Sequence, residues 1–200
     1  MASADRRRLL LLPAALGMVA AAPRPDWLGA LRGGGYVLYM RHAITDRSQV
    51  DTGRLGDRAG QRNLSAAGVA QAHALSEAMA RLRIPLRPIR SSPVFRASDT
   101  AAIMARGAAV DVTMELVADD YTADVSGAIA SARRAMGTPP PAGSNALLVG
   151  HIHVFGPAVF GRMLSQAEFP EGAFGMVAPE AAGPRVLQVL VPDTVIAAAR

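Results

Sequence analysis

The sequence predicts an α/β fold, on three observations. Short apolar, β-favouring runs alternate with longer stretches whose apolar residues recur every three or four positions, the pattern of strands interleaved with amphipathic helices. The clearest run, Tyr36-Val37-Leu38-Tyr39-Met40, follows Gly33-Gly34-Gly35 and reads as a buried strand. At 200 residues, half of them hydrophobic and 18% charged, the chain is long enough for one well-buried core and gives no reason to propose two.

Residues 1–22 stand apart from this pattern. Arg6-Arg7-Arg8 is a positive leader segment, and Leu9 to Ala22 is an apolar stretch ending in three alanines, the layout of a secretory signal peptide. The apolar run falls short of the roughly 20 residues that a bilayer-spanning helix needs, so export without stable membrane insertion is expected, to the periplasm or the medium. The expected domain is then 23–200. Its lead-in, Pro23 to Gly35, holds Trp27, Leu28 and Leu31 at the spacing of a helical turn.

After the first strand, Ile44 to Arg62 is polar and lacks periodicity, so it reads as a loop over the strand's end. A loop of close to twenty residues is uncommon unless it serves function. Ser65 suits an N-cap, and Val69, Ala72, Leu75, Met79 and Leu82 form one apolar helical face. A short strand around Pro88–Ser91 leads to a helix from Pro93 to about Arg106, with proline in the first turn where its missing donor is not needed. Val110–Thr113 is a further short strand. Val125 to Met136 has helical spacing and is stopped by Pro139-Pro140-Pro141. Asn145–Gly150 is a buried strand, Val154–Leu164 a weaker helical stretch, and Phe174–Val177 and Arg185–Val191 are two late strands around the turn at Gly183-Pro184.

The chemistry gathers at strand ends. Arg41-His42 places a fixed cation and an imidazole at the C-terminal edge of the first strand, where ligands bind in open α/β sheets. An arginine fork suits phosphate oxygens, and a neutral imidazole nitrogen can attack phosphorus or act as a base. Leu147-Leu148-Val149-Gly150-His151 repeats the arrangement at a second strand. His153 lies two residues on and reads as a loop histidine without a role, and His73 as a structural mid-helix residue.

Four blocks in order carry a family resemblance: Arg41-His42-Ala43-Ile44-Thr45, Leu64-Ser65-Ala66-Ala67-Gly68-Val69-Ala70-Gln71-Ala72, Ser91-Ser92-Pro93-Val94-Phe95-Arg96-Ala97-Ser98-Asp99-Thr100-Ala101, and Gly150-His151. Together they resemble the histidine phosphatase superfamily, the phosphoglycerate-mutase-like proteins, over roughly Gly35 to Val191. The resemblance implies a single three-layer α/β/α domain with a mostly parallel central sheet. It also implies a metal-independent phosphomonoesterase with no cofactor, in which His42 becomes phosphohistidine. Arg41 and Arg96 would clamp the phosphate, His151 would donate a hydrogen bond to it, and Thr45 matches the family threonine. Ala43 replaces the usual glycine, and Ser48 stands where many members carry a phosphate-touching asparagine. The general acid falls among Glu115, Asp119 and Asp120, with Glu115 the first choice.

Composition narrows the partners. Net charge is +5, and removing residues 1–22 takes away three arginines and Asp5, leaving about +3. All 21 basic residues are arginine, which with abundant alanine looks like genomic base bias, and no basic stripe is interleaved with aromatics, so no nucleic-acid surface is expected. Without cysteine there is neither a disulfide framework nor a thiolate metal site. The expected partner is a phosphorylated small molecule or a phosphoprotein. Competing functions are a phosphoglycerate mutase-type phosphotransferase, a non-catalytic phosphate-ligand binder, and a metal hydrolase using His42, His151 and His153.

Overall fold

A computed structural model describes residues 26–200; the signal peptide expected at residues 1–22 lies outside the described residues. Six strands form one sheet: β1 (Val37–Arg41), β2 (Leu86–Ser91), β3 (Asp111–Val112), β4 (Asn145–Gly150), β5 (Phe174–Glu180) and β6 (Gly183–Leu190). Their order is β3-β2-β4-β1-β5-β6. The first four are parallel neighbours; β5 runs antiparallel to β1 and forms a hairpin with β6. The expected three-layer, mostly parallel α/β/α domain is therefore what forms.

Strand β1 lies inside the sheet and buries all five residues, so its side chains feed both layers. Leu38 and Met40, with Leu147 and Val149 of β4, pack into one core beneath α1 (Trp27–Gly33), α2 (Ala66–Arg81), α3 (Phe95–Ala105) and α6 (Pro192–Ala198). Val37 and Tyr39, with Ala146 and Leu148, enter the opposite core beneath α4 (Val125–Met136) and α5 (Ile152–Phe160), where Tyr39 and Phe169 both stack on Phe155. This alternation with a period of two fixes which way each strand's terminal residue faces.

Most boundaries match the sequence reading, and the departures have local causes. Ser65 caps α2, its hydroxyl accepting from the Gly68 N–H, but Val69 is 39% exposed and lies off the apolar face. Pro93 precedes the N-cap Val94 rather than occupying the first turn of α3. Helix α5 begins two residues before the expected start and stops at Gly161, whose left-handed φ of 66° ends it before Leu164. Strand β6 starts at Gly183, so the hairpin turn is Ala181-Ala182. Helix α6, which the sequence reading missed, starts on Pro192 and buries Val195 against the first core.

Candidate active site

The parallel register sets Arg41 beside Gly150 and Ser91 beside Val149, so the C-terminal ends of β1, β4 and β2 share one edge. His42, His151 and Ser92 follow those ends directly. The rings of His42 and His151 have centroids 5.5 Å apart, tilted at 53°. Arg41, His42, Arg96 and His151 are each only 3% exposed, a burial that charged and polar side chains adopt only with a purpose.

Residues of the four sequence blocks hold this geometry. The backbone after His42 is gripped on three sides. The Ala43 N–H donates to Thr100 Oγ1 (3.0 Å), the Ile44 N–H to Gln71 Oε1 (3.2 Å), and the Ile44 carbonyl accepts from the Ser65 N–H (3.0 Å). Gly68 completes the grip, since a Cβ there would overlap the Ile44 carbonyl. Across the site, the His151 N–H donates to Tyr39 Oη (2.9 Å), whose hydroxyl donates back to the His151 carbonyl (3.2 Å). Gly150 leaves room for that hydroxyl, which a Cβ would overlap. The glycines, glutamine and threonine of the motifs thus serve the backbone that aims the histidines.

Ring protons follow from the hydrogen bonds. His42 Nδ1–H donates to the Ala43 carbonyl at 2.9 Å, which leaves Nε2 with its lone pair. Burial, then the charge of Arg96, then Arg41 and Arg62, push the His42 pKa well below 6.5 against the pull of the Ala43 carbonyl. Burial and Arg96 do the same to His151. Ser92 Oγ accepts from the Val94 N–H (3.2 Å) and lies 2.9 Å from His151 Nε2. With the hydroxyl proton donated to Nε2, His151 carries its own proton on Nδ1.

Among the described residues that Nδ1 has no partner, and neither do the buried Nε atoms of Arg41, Arg62 and Arg96. Buried donors are almost always paired, so four unpaired ones around one histidine define a place for an anion. The outer guanidinium atoms of Arg96 and Arg41 are anchored. Arg96 Nη1 donates to both oxygens of Asp51 (2.9 and 3.1 Å), and Asp120 lies 3.7 Å from its Nη2. Arg41 Nη1 donates to the Phe169 carbonyl (2.7 Å), with Glu171 3.9 Å from its Nη2. Burial pulls the Arg41 pKa down to about 10, so it stays charged at neutral pH.

Of the residues singled out from sequence, Arg41, His42, Arg96 and His151 come together and three others stand differently. Thr45 is buried beside them, but its hydroxyl donates to Glu171 (2.8 Å), so it positions the carboxylate behind Arg41. Ser48 is on the exposed loop, its N–H and hydroxyl both donating to Asp46, and joins no site residue. Glu115 follows the edge strand β3 and pairs at 3.0 Å with Arg90, which also binds Asp111; it is corrected to a surface ion pair. Asp120 and Asp119, in the 3₁₀ turn Asp119–Tyr121, reach the rim instead.

Three residues of the site were not anticipated. Asp51 anchors Arg96 and also accepts from Tyr121 Oη (2.5 Å) and the Arg62 N–H (2.9 Å). Arg62 adds a third guanidinium whose charge bears on His42 and Arg41. All three, counting Tyr121, sit in unpatterned segments where only a polar loop could be read. Asp51 and Arg62 belong to that loop over the strand end. It is pinned to the start of α3: Gln61 Oε1 accepts from the Phe95 N–H (2.9 Å), and Arg58 binds Asp99 (2.7 and 3.0 Å). Among the described residues no three His, Asp or Glu side chains form a group able to hold a metal ion, and no helix is long and apolar enough to cross a membrane.

The arrangement defines a class of site: a neutral histidine with a bare ring nitrogen, facing a second neutral histidine, in an arginine-lined anion pocket. Residues 37–119 match the family model described as histidine phosphatase superfamily (branch 1), a span that includes Arg41, His42 and Arg96. Over that span the chain is similar to the histidine phosphatase superfamily. Solved structures with the same fold include the protein histidine phosphatase SixA complexed with tungstate (17% identity, 78% of this chain and 97% of that one, TM-score 0.57). The mycobacterial glucosyl-3-phosphoglycerate phosphatase complexed with VO3 is another (18% identity, 76% and 97% covered, TM-score 0.53). A phosphoserine phosphatase variant from Entamoeba histolytica in complex with phosphoserine also matches (12% identity, 80% and 98% covered, TM-score 0.52). No curated protein sequence matches the chain.

Proposed function

We propose that this protein is a phosphomonoester hydrolase that works through a covalent phosphohistidine on His42 and needs no metal. The observation that carries the reading is the convergence of unpaired buried donors from Arg41, Arg62, Arg96 and His151 around an imidazole whose Nδ1 proton is already committed to Ala43. The arginines would take the phosphoryl oxygens and His151 Nδ1–H would donate to one more, placing positive charge where it develops in the transition state. His42 Nε2 would attack phosphorus in line, and water would then hydrolyse the phosphohistidine. Three guanidinium groups supply the charge that a metal would otherwise bring, so turnover should survive excess EDTA and be inhibited by vanadate. The substrate is a phosphorylated small molecule or a phosphoprotein, and the basic, apolar leader at residues 1–22 supports action after export.

The test is to quench turnover of a phosphate-labelled ester without acid and map the label by mass spectrometry. Label is expected on the peptide containing His42, labile in acid and stable in base. The His42→Ala variant should lose turnover by about 10⁴-fold or more while keeping most of its phosphate affinity, which resides in the arginines. Turnover without label on His42 sinks the covalent mechanism; tight phosphate binding without turnover of any ester identifies a binding protein instead.

A further inference from the structure

The phosphohistidine reading leaves one proton without a source. When His42 attacks, the ester P–O bond breaks with its electron pair on the departing oxygen, which for an alkyl ester must be protonated as it leaves. Glu115, in the turn after the edge strand β3, is held in its ion pair with Arg90. Asp120 stands at the rim 3.7 Å from Arg96; burial raises its carboxyl pKa against that charge, and it is the competing donor that the test below includes.

We propose that His153, paired with Asp119, is the proton donor to the leaving oxygen. His153 sits in the first turn of α5, two residues after His151, so the helix that positions one ring against the phosphate pocket carries the other to its mouth. Its Nδ1 lies 3.3 Å from Asp119 Oδ2, which leaves the Nε2–H, with no partner among the described residues, free to donate. The ring is 49% exposed and Asp119 31%, whereas His42 and His151 are enclosed. A group at the mouth meets the leaving oxygen; the enclosed pair meets phosphorus.

The charges around His153 favour the imidazolium. Asp119 and Asp120 face it from the 3₁₀ turn, and Arg41 at the end of β1 opposes them; His151, beside it on the chain, is neutral. The bond from Asp119, partly countered by burial, raises the His153 pKa above 6.5, which favours the protonated ring that a general acid requires. In the first half-reaction the Nε2 proton passes to the leaving oxygen, releasing the alcohol and a neutral imidazole. In the second, that imidazole takes a proton from the water attacking phosphohistidine, so inorganic phosphate forms and both histidines return to their starting states.

This inference rests on the phosphatase reading, and the test separates the two. Wild type, His153→Asn, Asp119→Asn and Asp120→Asn are assayed on butyl phosphate and on p-nitrophenyl phosphate, with His42 labelling followed in parallel. His153→Asn should lose about 100-fold or more in kcat/KM on butyl phosphate and about threefold or less on p-nitrophenyl phosphate, whose leaving oxygen needs little protonation. Wild-type hydrolysis of butyl phosphate should fall on the alkaline side of the raised His153 pKa, and Asp119→Asn should move that limb to lower pH. An unchanged ratio between the substrates in His153→Asn, or a selective loss confined to Asp120→Asn, overturns the inference while labelled His42 preserves the phosphatase reading. No turnover and no label in wild type overturns both.

Discussion

The pair of Arg96 and Asp51 offers the most direct test of how the site is built. Arg96 has a side chain 4% exposed and Asp51 one 14% exposed, and the two share hydrogen bonds at 2.9 and 3.1 Å. Replacing Asp51 by alanine leaves a buried guanidinium with only the more distant Asp120 for company and frees Tyr121 Oη and the Arg62 N–H. Removing one partner of a buried pair costs about 3–5 kcal/mol, and the residual exposure of Asp51 with help from Asp120 puts this case near the lower bound, about 3 kcal/mol. For a domain of this size that is a fall of about 6–12 °C in Tm. Affinity for inorganic phosphate should move the other way. A unit negative charge about 10 Å from a bound dianion costs about 3 kcal/mol at an effective dielectric of about 20, and more when nearer, so the variant should bind phosphate about tenfold or more tightly. Thermal melts across a phosphate titration read both quantities, because ligand binding raises Tm by mass action. A variant that melts like wild type and binds phosphate no better would refute the claim that Arg96 is a phosphate ligand held back by Asp51.

Two further outcomes follow from the same geometry. Because His42 and His151 are held neutral with pKa values well below 6.5, the unfolded chain binds more protons than the folded one as soon as the pH drops under 6.5; stability should fall there by up to about 2.7 kcal/mol per pH unit for the two together, and urea titrations at stepped pH on wild type and His42→Gln should show a shallower slope in the variant. Gly150→Ala should cost about 3 kcal/mol, since its methyl collides with the Tyr39 hydroxyl that holds the His151 backbone from both sides, and it should lower kcat more than an equally destabilising core variant does when both are assayed well below their Tm.

What could be read from the sequence was what repeats or runs. Strand β1 and its terminal Arg41-His42 were legible because a continuous apolar run admits few alternatives, and Ser65 announced α2 because capping is local. The general acid was not legible. Glu115 follows a strand as the family pattern asks, but β3 has only two paired residues and lies at the sheet's edge, where Arg90 on β2 claims the carboxylate. Asp51 escaped notice for a different reason. Its partners Arg96 and Tyr121 lie 45 and 70 residues away, and no periodicity in a polar loop encodes which carboxylate closes on which arginine. Helix α6 did carry signals, Pro192 at its first turn and Asp193 beside it, yet seven residues give too short a period to separate it from the strand before it.

On the proposed reading, the carboxylates behind the arginines decide how the site trades affinity for turnover. Two buried guanidinium groups and the half-buried Arg62 beside one histidine would repel each other strongly if left bare. Asp51 on Arg96 and Glu171 behind Arg41 make their packing tolerable in the unliganded fold. The same carboxylates weaken the grip on any dianion, substrate and product alike, because part of each guanidinium's charge is already shared. Tight uniform binding of phosphate would slow product release without lowering the barrier. Among the donors left unpaired, the Nε atoms of Arg41 and Arg96 and His151 Nδ1 are fixed in direction by the anchored ends of those arginines and by Ser92, so they gain most when oxygens sit where the in-line displacement puts them. An arginine pocket without Asp51 and Glu171 would bind phosphate better and turn over more slowly, which is why, on this reading, the loop carrying Asp51 belongs to the site as much as the strand that ends before His42.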